Sequence, residues 1–178
     1  MVVSAACACS ARSGKRVTGV LLKPAPLTAA AFAPFGDVIE DKAARELRHI
    51  NYGYTQRFHD LARLDITGAG GKPLVSLFRS NPMVRPITVK VMERHPLSSQ
   101  AFYPLSGRPY MVVVADRGDF KLENLRAFVA APHQGVNYHA GVWHHFSLAL
   151  DETSDFLVID RGGAEKNCDE VFLDADNI

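Results

Sequence analysis

From about residue 72 onward the chain is a succession of short runs rich in Val, Ile, Phe and Tyr. The runs occupy residues 74–78, 87–92, 100–105, 110–115, 125–130, 135–139, 146–150 and 156–160, and Pro, Gly, Asp or Ser breaks nearly every gap between them. Many short strands at this spacing argue for an antiparallel sandwich or barrel. Nothing alternates as strand–helix–strand, and no heptad or repeat is visible. The expected class is therefore mainly β with a few short helices. One such helix is expected over residues 27–32, capped by Thr28 and ended by Pro34 and Gly36. A strand is expected from Asp37 to Glu40 and a helical turn over residues 121–124. The stretch from Asp37 to Gly71 has scattered charge and is the least readable part.

A chain of 178 residues fits one domain with a substantial core. Residues 1–19 are expected to form a poorly ordered extension, and residues 20–178 a single domain. The first residues are small, Ser/Ala-rich and basic. That loosely fits a transit peptide, but they lack the charge-then-apolar order of a secretory signal. Lys and Arg number 20 against 19 Asp and Glu, a formal net charge of +1. Such a balance gives no field that would draw the protein to nucleic acid or a membrane, so a small molecule is the expected partner. No apolar run reaches the roughly 18 residues of a membrane span. Cys7, Cys9 and Cys168 make neither a disulfide framework nor a metal knuckle. Together these features point to a reducing, cytoplasmic setting.

The densest polar cluster is Gln134-Gly135-Val136-Asn137-Tyr138-His139-Ala140-Gly141-Val142-Trp143-His144-His145. A lone histidine is usually a satisfied surface residue, but three within one short segment point to a binding site. On a strand, Asn137 and His139 share a face with Tyr138 opposite, and at most one of His144 and His145 faces inward. A second cluster holds Glu93, His95, Gln100, Tyr103 and Gly107. Its spacing resembles the first cupin motif, with Glu93, His95 and Gln100 at ligand positions. His139, Gly141 and His144 resemble the second, with histidine in place of proline. By that resemblance Glu93, His95, Gln100 and His144 are the candidate metal ligands. Two imidazoles, a carboxylate and an amide oxygen could hold a divalent transition metal. A metal-free pocket whose residues bind substrate directly stays equally open. The third signal is an apolar strand ending in Asp160-Arg161-Gly162-Gly163. Asp160–Arg161 reads as a strand-end charge pair, while Arg161 or Arg79 could instead fork onto a carboxylate.

At these residues the sequence resembles the ureidoglycolate lyase family. The segments 93–102, 134–145 and 159–163, with Asn167-Cys168, match its signatures, as do residues 35–39 and 49–51 near the start. The resemblance runs from about Leu22 to Cys168. It implies a cupin-like barrel (a double-stranded β-helix or jelly roll), a homodimer, and a role in allantoin breakdown. It also implies a divalent metal, nickel or another, and no nucleotide or redox cofactor.

The implied reaction splits (S)-ureidoglycolate into glyoxylate and urea. A base removes the hydroxyl proton, the C–N bond breaks, and an acid protonates the departing nitrogen. Histidine suits both steps. His95 or His144 is expected as base or metal ligand and His139 as acid. Arg79 or Arg161 would hold the carboxylate, Asn137 and Gln100 would pair with the ureido amide, and Tyr103 would line the pocket. A metal-dependent cupin isomerase or dioxygenase, or a non-catalytic cupin that binds a small organic acid, would use the same clusters differently.

Overall fold

The structure, a computed structural model, describes residues 3–5 and 20–173. Two sheets face each other. The first has five strands in the order Gly36–Ile39, Gly135–Tyr138, Gln100–Pro104, Ser154–Gly162 and Lys72–Ser80, every neighbour antiparallel. The second runs Asp169–Phe172, Val91–Arg94, Trp143–His144, Tyr110–Ala115, Arg126–Ala130 and Ala25–Pro26, with Leu148–Ala149 also paired to Tyr110–Ala115. The expected mainly β, cupin-like class is what the chain adopts, as a sandwich of two sheets.

The core explains the sequence pattern. Phe102, Val136, Tyr138, Phe156 and Val158 of the first sheet meet Tyr110, Val112, Val114 and Phe128 of the second. Met111, Val113 and Ala115 point the other way, into a second cluster with Ile87, Val89, Met92, Leu125 and Trp143. Tyr110–Ala115 is thus buried on both faces. A strand covered on both faces reads as an unbroken apolar run, and Tyr-Met-Val-Val-Val-Ala is one.

The short helix forms at Ala29–Phe32, where the Thr28 hydroxyl accepts the Ala31 N–H at 3.2 Å. It drives the fully buried Phe32 against Phe35, Phe128 and Tyr138. The expected turn near residues 121–124 is a 3-10 turn at Leu122–Asn124. The unreadable stretch contains a hairpin, Glu46–Ile50 paired with Thr55–His59. The expectation of a poorly ordered extension over residues 1–19 falls mostly outside the described residues. Of these, Val3–Ala5 is described, pairing antiparallel with Val20–Leu22 and parallel with Ile87–Val89. Among the described residues, no helix is long and apolar enough to cross a membrane.

Gly36 shows how tightly the site's strands are set. A Cβ at this position would overlap the backbone carbonyl of Asn137 on the neighbouring strand. Gly36→Ala must therefore push two site-bearing strands apart. We expect it to lower stability by about 1–3 kcal/mol, the usual scale of overpacking, read as a fall in Tm or in the denaturation midpoint.

Candidate functional site

Strand register decides which side chains meet. Residues directly opposite on paired strands share a face. Gln100 lies opposite Tyr138, and His144 lies opposite both Glu93 and Val114. Val114 and Tyr138 belong to the core between the sheets, so Gln100, Glu93 and His144 point into the same space. The Tyr138 ring stacks on His144 at 4.3 Å, nearly parallel, and His95 packs against His144 at 5.1 Å. Glu93, His95 and His144 each offer a ligand atom, all within 4.8 Å of one another.

The hydrogen bonds fix what these atoms present. His95 Nδ1 lies 2.6 Å from the Asn167 carbonyl, and His144 Nδ1 lies 3.1 Å from the Val142 carbonyl. A carbonyl only accepts, so each Nδ1 is the donor, and the tautomer this fixes turns each Nε2 lone pair inward. Both Nε2 atoms lie 3.2 Å from Gln100 Oε1. The amide orientation follows from its other end, where Gln100 Nε2 donates to Asp160 Oδ2 at 3.4 Å. The Glu93 carboxylate lies 3.5 Å from His144 Nε2. Burial pushes the His144 pKa down, against the opposing pull of Glu93, which keeps the ring neutral at neutral pH.

Four acceptors therefore converge with no donor among them. Such a set is stable only around a cation or around donors supplied by a bound molecule. Two imidazoles, one carboxylate and one amide oxygen suit a divalent transition metal. The Asn167 and Val142 carbonyls that hold the rings are the outer partners metal-binding histidines commonly use.

His139 and Asn137 lie on the opposite side of the first sheet from Tyr138. Asp37 Oδ2 gathers both, accepting from Asn137 Nδ2 at 2.9 Å and from His139 Nε2 at 3.2 Å. Asn137 Nδ2 also donates to the Arg63 carbonyl at 2.9 Å. A polar cleft of about 280 Å³ lies beside His139, lined by Arg63, Asp65, Ser99, Arg117, His139 and Ala140. The turn after Tyr138 separates cleft and acceptor cluster, since Gly141 N–H donates to the His95 carbonyl at 2.9 Å.

The remaining candidates sit elsewhere. Arg79 forms a two-pronged pair with Asp155 on the exposed edge of the first sheet. Arg161 is buried, and its guanidinium donates to the Gly68 and Ala69 carbonyls and to Glu165. Tyr103 points to the outer face, 3.4 Å from the His133 carbonyl. His145 meets the Phe146 carbonyl through Nδ1 at 3.0 Å. Asp160 and Arg161 do not pair with each other, because successive strand residues point to opposite faces. Sequence reasoning missed Asp37, Arg63, Arg117 and the part played by Asp160. Their partners lie far off in sequence (102 residues separate His139 from Asp37), and no local pattern marks them.

The fold and the acceptor cluster define a cupin-like protein with a histidine–carboxylate centre between its sheets. The chain belongs to the ureidoglycolate lyase family, whose profile matches residues 20–178. A ureidoglycolate lyase of Burkholderia mallei is 58% identical over 145 residues, covering 82% of this chain and 85% of that protein. One from Burkholderia cepacia is 53% identical over 155 residues, 86% of this chain and 87% of that protein. Among solved structures, a dTDP sugar isomerase from Desulfovibrio desulfuricans G20 aligns at TM-score 0.43 and 19% identity, covering 73% of this chain and 83% of that one.

Proposed function

We propose that this chain cleaves (S)-ureidoglycolate to glyoxylate and urea, as a step of allantoin degradation, at the cluster of Glu93, His95, Gln100 and His144. The observation that carries this is the convergence of four acceptors on one point between the sheets. Ureidoglycolate carries a hydroxyl and a ureido nitrogen on one carbon, so cleavage begins by taking the hydroxyl proton. The electrons on oxygen then form the carbonyl of glyoxylate, and the C–N pair leaves with urea, which takes a proton. Atoms balance without water or an oxidant.

Glu93, His95, Gln100 and His144 would hold a divalent cation. When bound, it supplies positive charge that makes the substrate hydroxyl more acidic. The chain's own contribution is a fixed frame. Tyr138 covers one face of His144, backbone carbonyls lock both ring tautomers, and Asp160 keeps the Gln100 oxygen turned inward. His139 donates Nε2–H to Asp37, which leaves Nδ1 free to exchange a proton on the cleft side. The test is release of glyoxylate and urea from ureidoglycolate by the purified protein.

A homodimer belongs to the same proposal. Lys72–Ser80 is an edge strand whose outer side is unpaired among the described residues, and Val75 and Leu77 are 70% and 71% exposed. Long apolar edges invite strand pairing. About a two-fold axis at Ser76, antiparallel pairing sets Leu74 opposite Phe78 and Val75 opposite Leu77, apolar against apolar on either side of the axis. Equilibrium sedimentation should read twice the chain mass, and Val75→Lys should shift it toward the single chain. A single-chain mass for the unmodified protein would contradict this. The cysteine pattern supports a reducing, cytoplasmic setting.

A further inference from the structure

The two imidazoles of the acceptor cluster are held in different ways. His144 is buried, the Tyr138 ring stacks on it, and its Nδ1 meets the carbonyl of Val142, two residues away in the chain. Packing and local backbone therefore set its orientation. His95 is only half-buried, and the carbonyl that meets its Nδ1 belongs to Asn167, 72 residues away. The ring torsion of a histidine is broad unless something fixes it. The orientation of His95 thus depends on where a distant loop places Asn167.

Asn167 makes three contacts with a single turn. Its carbonyl accepts from His95 Nδ1 at 2.6 Å, its Oδ1 accepts the Leu97 N–H at 2.7 Å, and its Nδ2 donates to the Ser98 hydroxyl at 2.8 Å. The segment His95-Pro96-Leu97-Ser98 is itself closed by the Ser98 N–H, 3.4 Å from the His95 carbonyl, with Pro96 presetting φ at its second position. An amide side chain suits this place because it offers an acceptor and a donor at once. Asn167 is seated from both sides. Glu165 pairs with the buried Arg161 at 3.0 Å, and Asp169 pairs with Arg94 at 3.0 Å, where Asp169–Phe172 runs against Val91–Arg94.

We infer that Asn167 is a positioning residue for His95. Its side chain ties the turn 95–98 to the same residue whose carbonyl fixes the ring, so that Nε2 stays aimed at the point where Glu93, Gln100 and His144 converge. This rests on the reading of that point as a cation site and reactive centre.

The experiment compares the unmodified protein with Asn167→Leu, Asn167→Asp and Ser98→Ala. Nitrogen NMR of the imidazole rings is recorded on the metal-free proteins, and nickel(II) binding is measured by calorimetry, both well below each Tm. The unmodified protein should show His95 as the single tautomer protonated at Nδ1. Asn167→Leu keeps the carbonyl but loses both side-chain bonds. Its His95 signals should move toward exchanging tautomers while those of His144 stay put, and nickel(II) affinity should fall roughly ten- to a hundredfold. Asn167→Asp should recover most of the loss, since a carboxylate accepts from both the Leu97 N–H and the Ser98 hydroxyl. Ser98→Ala, which removes one bond only, should shift both readouts the same way by a few-fold, and it carries the test if the leucine variant does not fold. A lower Tm with unchanged His95 signals and unchanged nickel(II) affinity would overturn the inference, because Asn167 would then support only the fold. If the unmodified protein binds no nickel(II) or releases no glyoxylate, the reading of the centre fails, and the His95 signals decide the positioning role by themselves.

Discussion

His144→Ala should lower kcat by about 10²-fold or more, the scale of losing a positioned proton-transfer group or its equivalent. No other ring in the cluster is as buried, at 1% exposure, and its Nε2 faces both Gln100 and Glu93. Truncation would leave Tyr138 without its stacking partner, Glu93 without the imidazole 3.5 Å away and a void between the sheets. Stability should therefore fall as well, and kcat must be measured well below the variant's Tm. Metal content separates the two chemical roles. A ligand variant loses bound metal in proportion to activity, whereas a variant lacking only a base keeps it. His145→Ala supplies the internal control. His145 is also buried, but its Nδ1 bonds the Phe146 carbonyl and it lies outside the set of converging ligand atoms. Its loss should cost stability with far less effect on kcat. Equal losses of kcat at both positions would contradict the site geometry, and full activity in His144→Ala would remove that residue from the mechanism.

Asp160→Asn should lower activity roughly ten- to a hundredfold, as changes to the partners of metal-binding side chains do. The substitution keeps shape and removes a charge. With Asp160 in place, Gln100 has one good orientation, its NH₂ on the carboxylate and its oxygen toward His95 and His144. An asparagine can donate as well as accept. Gln100 could then turn over and present N–H to the two imidazole nitrogens, filling the place a cation or substrate donor takes. Asp160 Oδ1 is also buried without a partner, a further open acceptor beside the converging set. Bound metal and kcat should fall together in this variant while Tm changes little. An Asp160→Asn protein with full metal content and full activity would show that Gln100 is held some other way.

How far the molecule could be read from its sequence follows from which forces are local. Tyr110–Ala115 was visible because burial on both faces forbids polar residues, and its bounds match the expected run. The Thr28 cap was visible because capping spans three residues. Glu93, His95, Gln100 and His144 could be placed together because motif spacing records strand parity and register. The hairpin Glu46–His59 was invisible, since its strands are largely exposed and carry no alternation of apolar and polar residues. Barrel and sandwich could not be told apart, because alternation along a strand says which face is covered but not by which sheet. The pairing of Asp160 with Gln100 was misread as a neighbour pair with Arg161, although the strand separates their side chains. Arg63 and Arg117 carried no signal at all, since only the fold brings them to the cleft beside His139.

The central claim is that the converging acceptors between the sheets split ureidoglycolate into glyoxylate and urea. The most direct measurement follows both products released by the purified protein from (S)-ureidoglycolate, before and after treatment with a chelator and again after divalent metal is restored. The account predicts glyoxylate and urea in equal amounts, with activity lost on chelation and regained with metal. Absence of glyoxylate, or ammonia in place of urea, would contradict it.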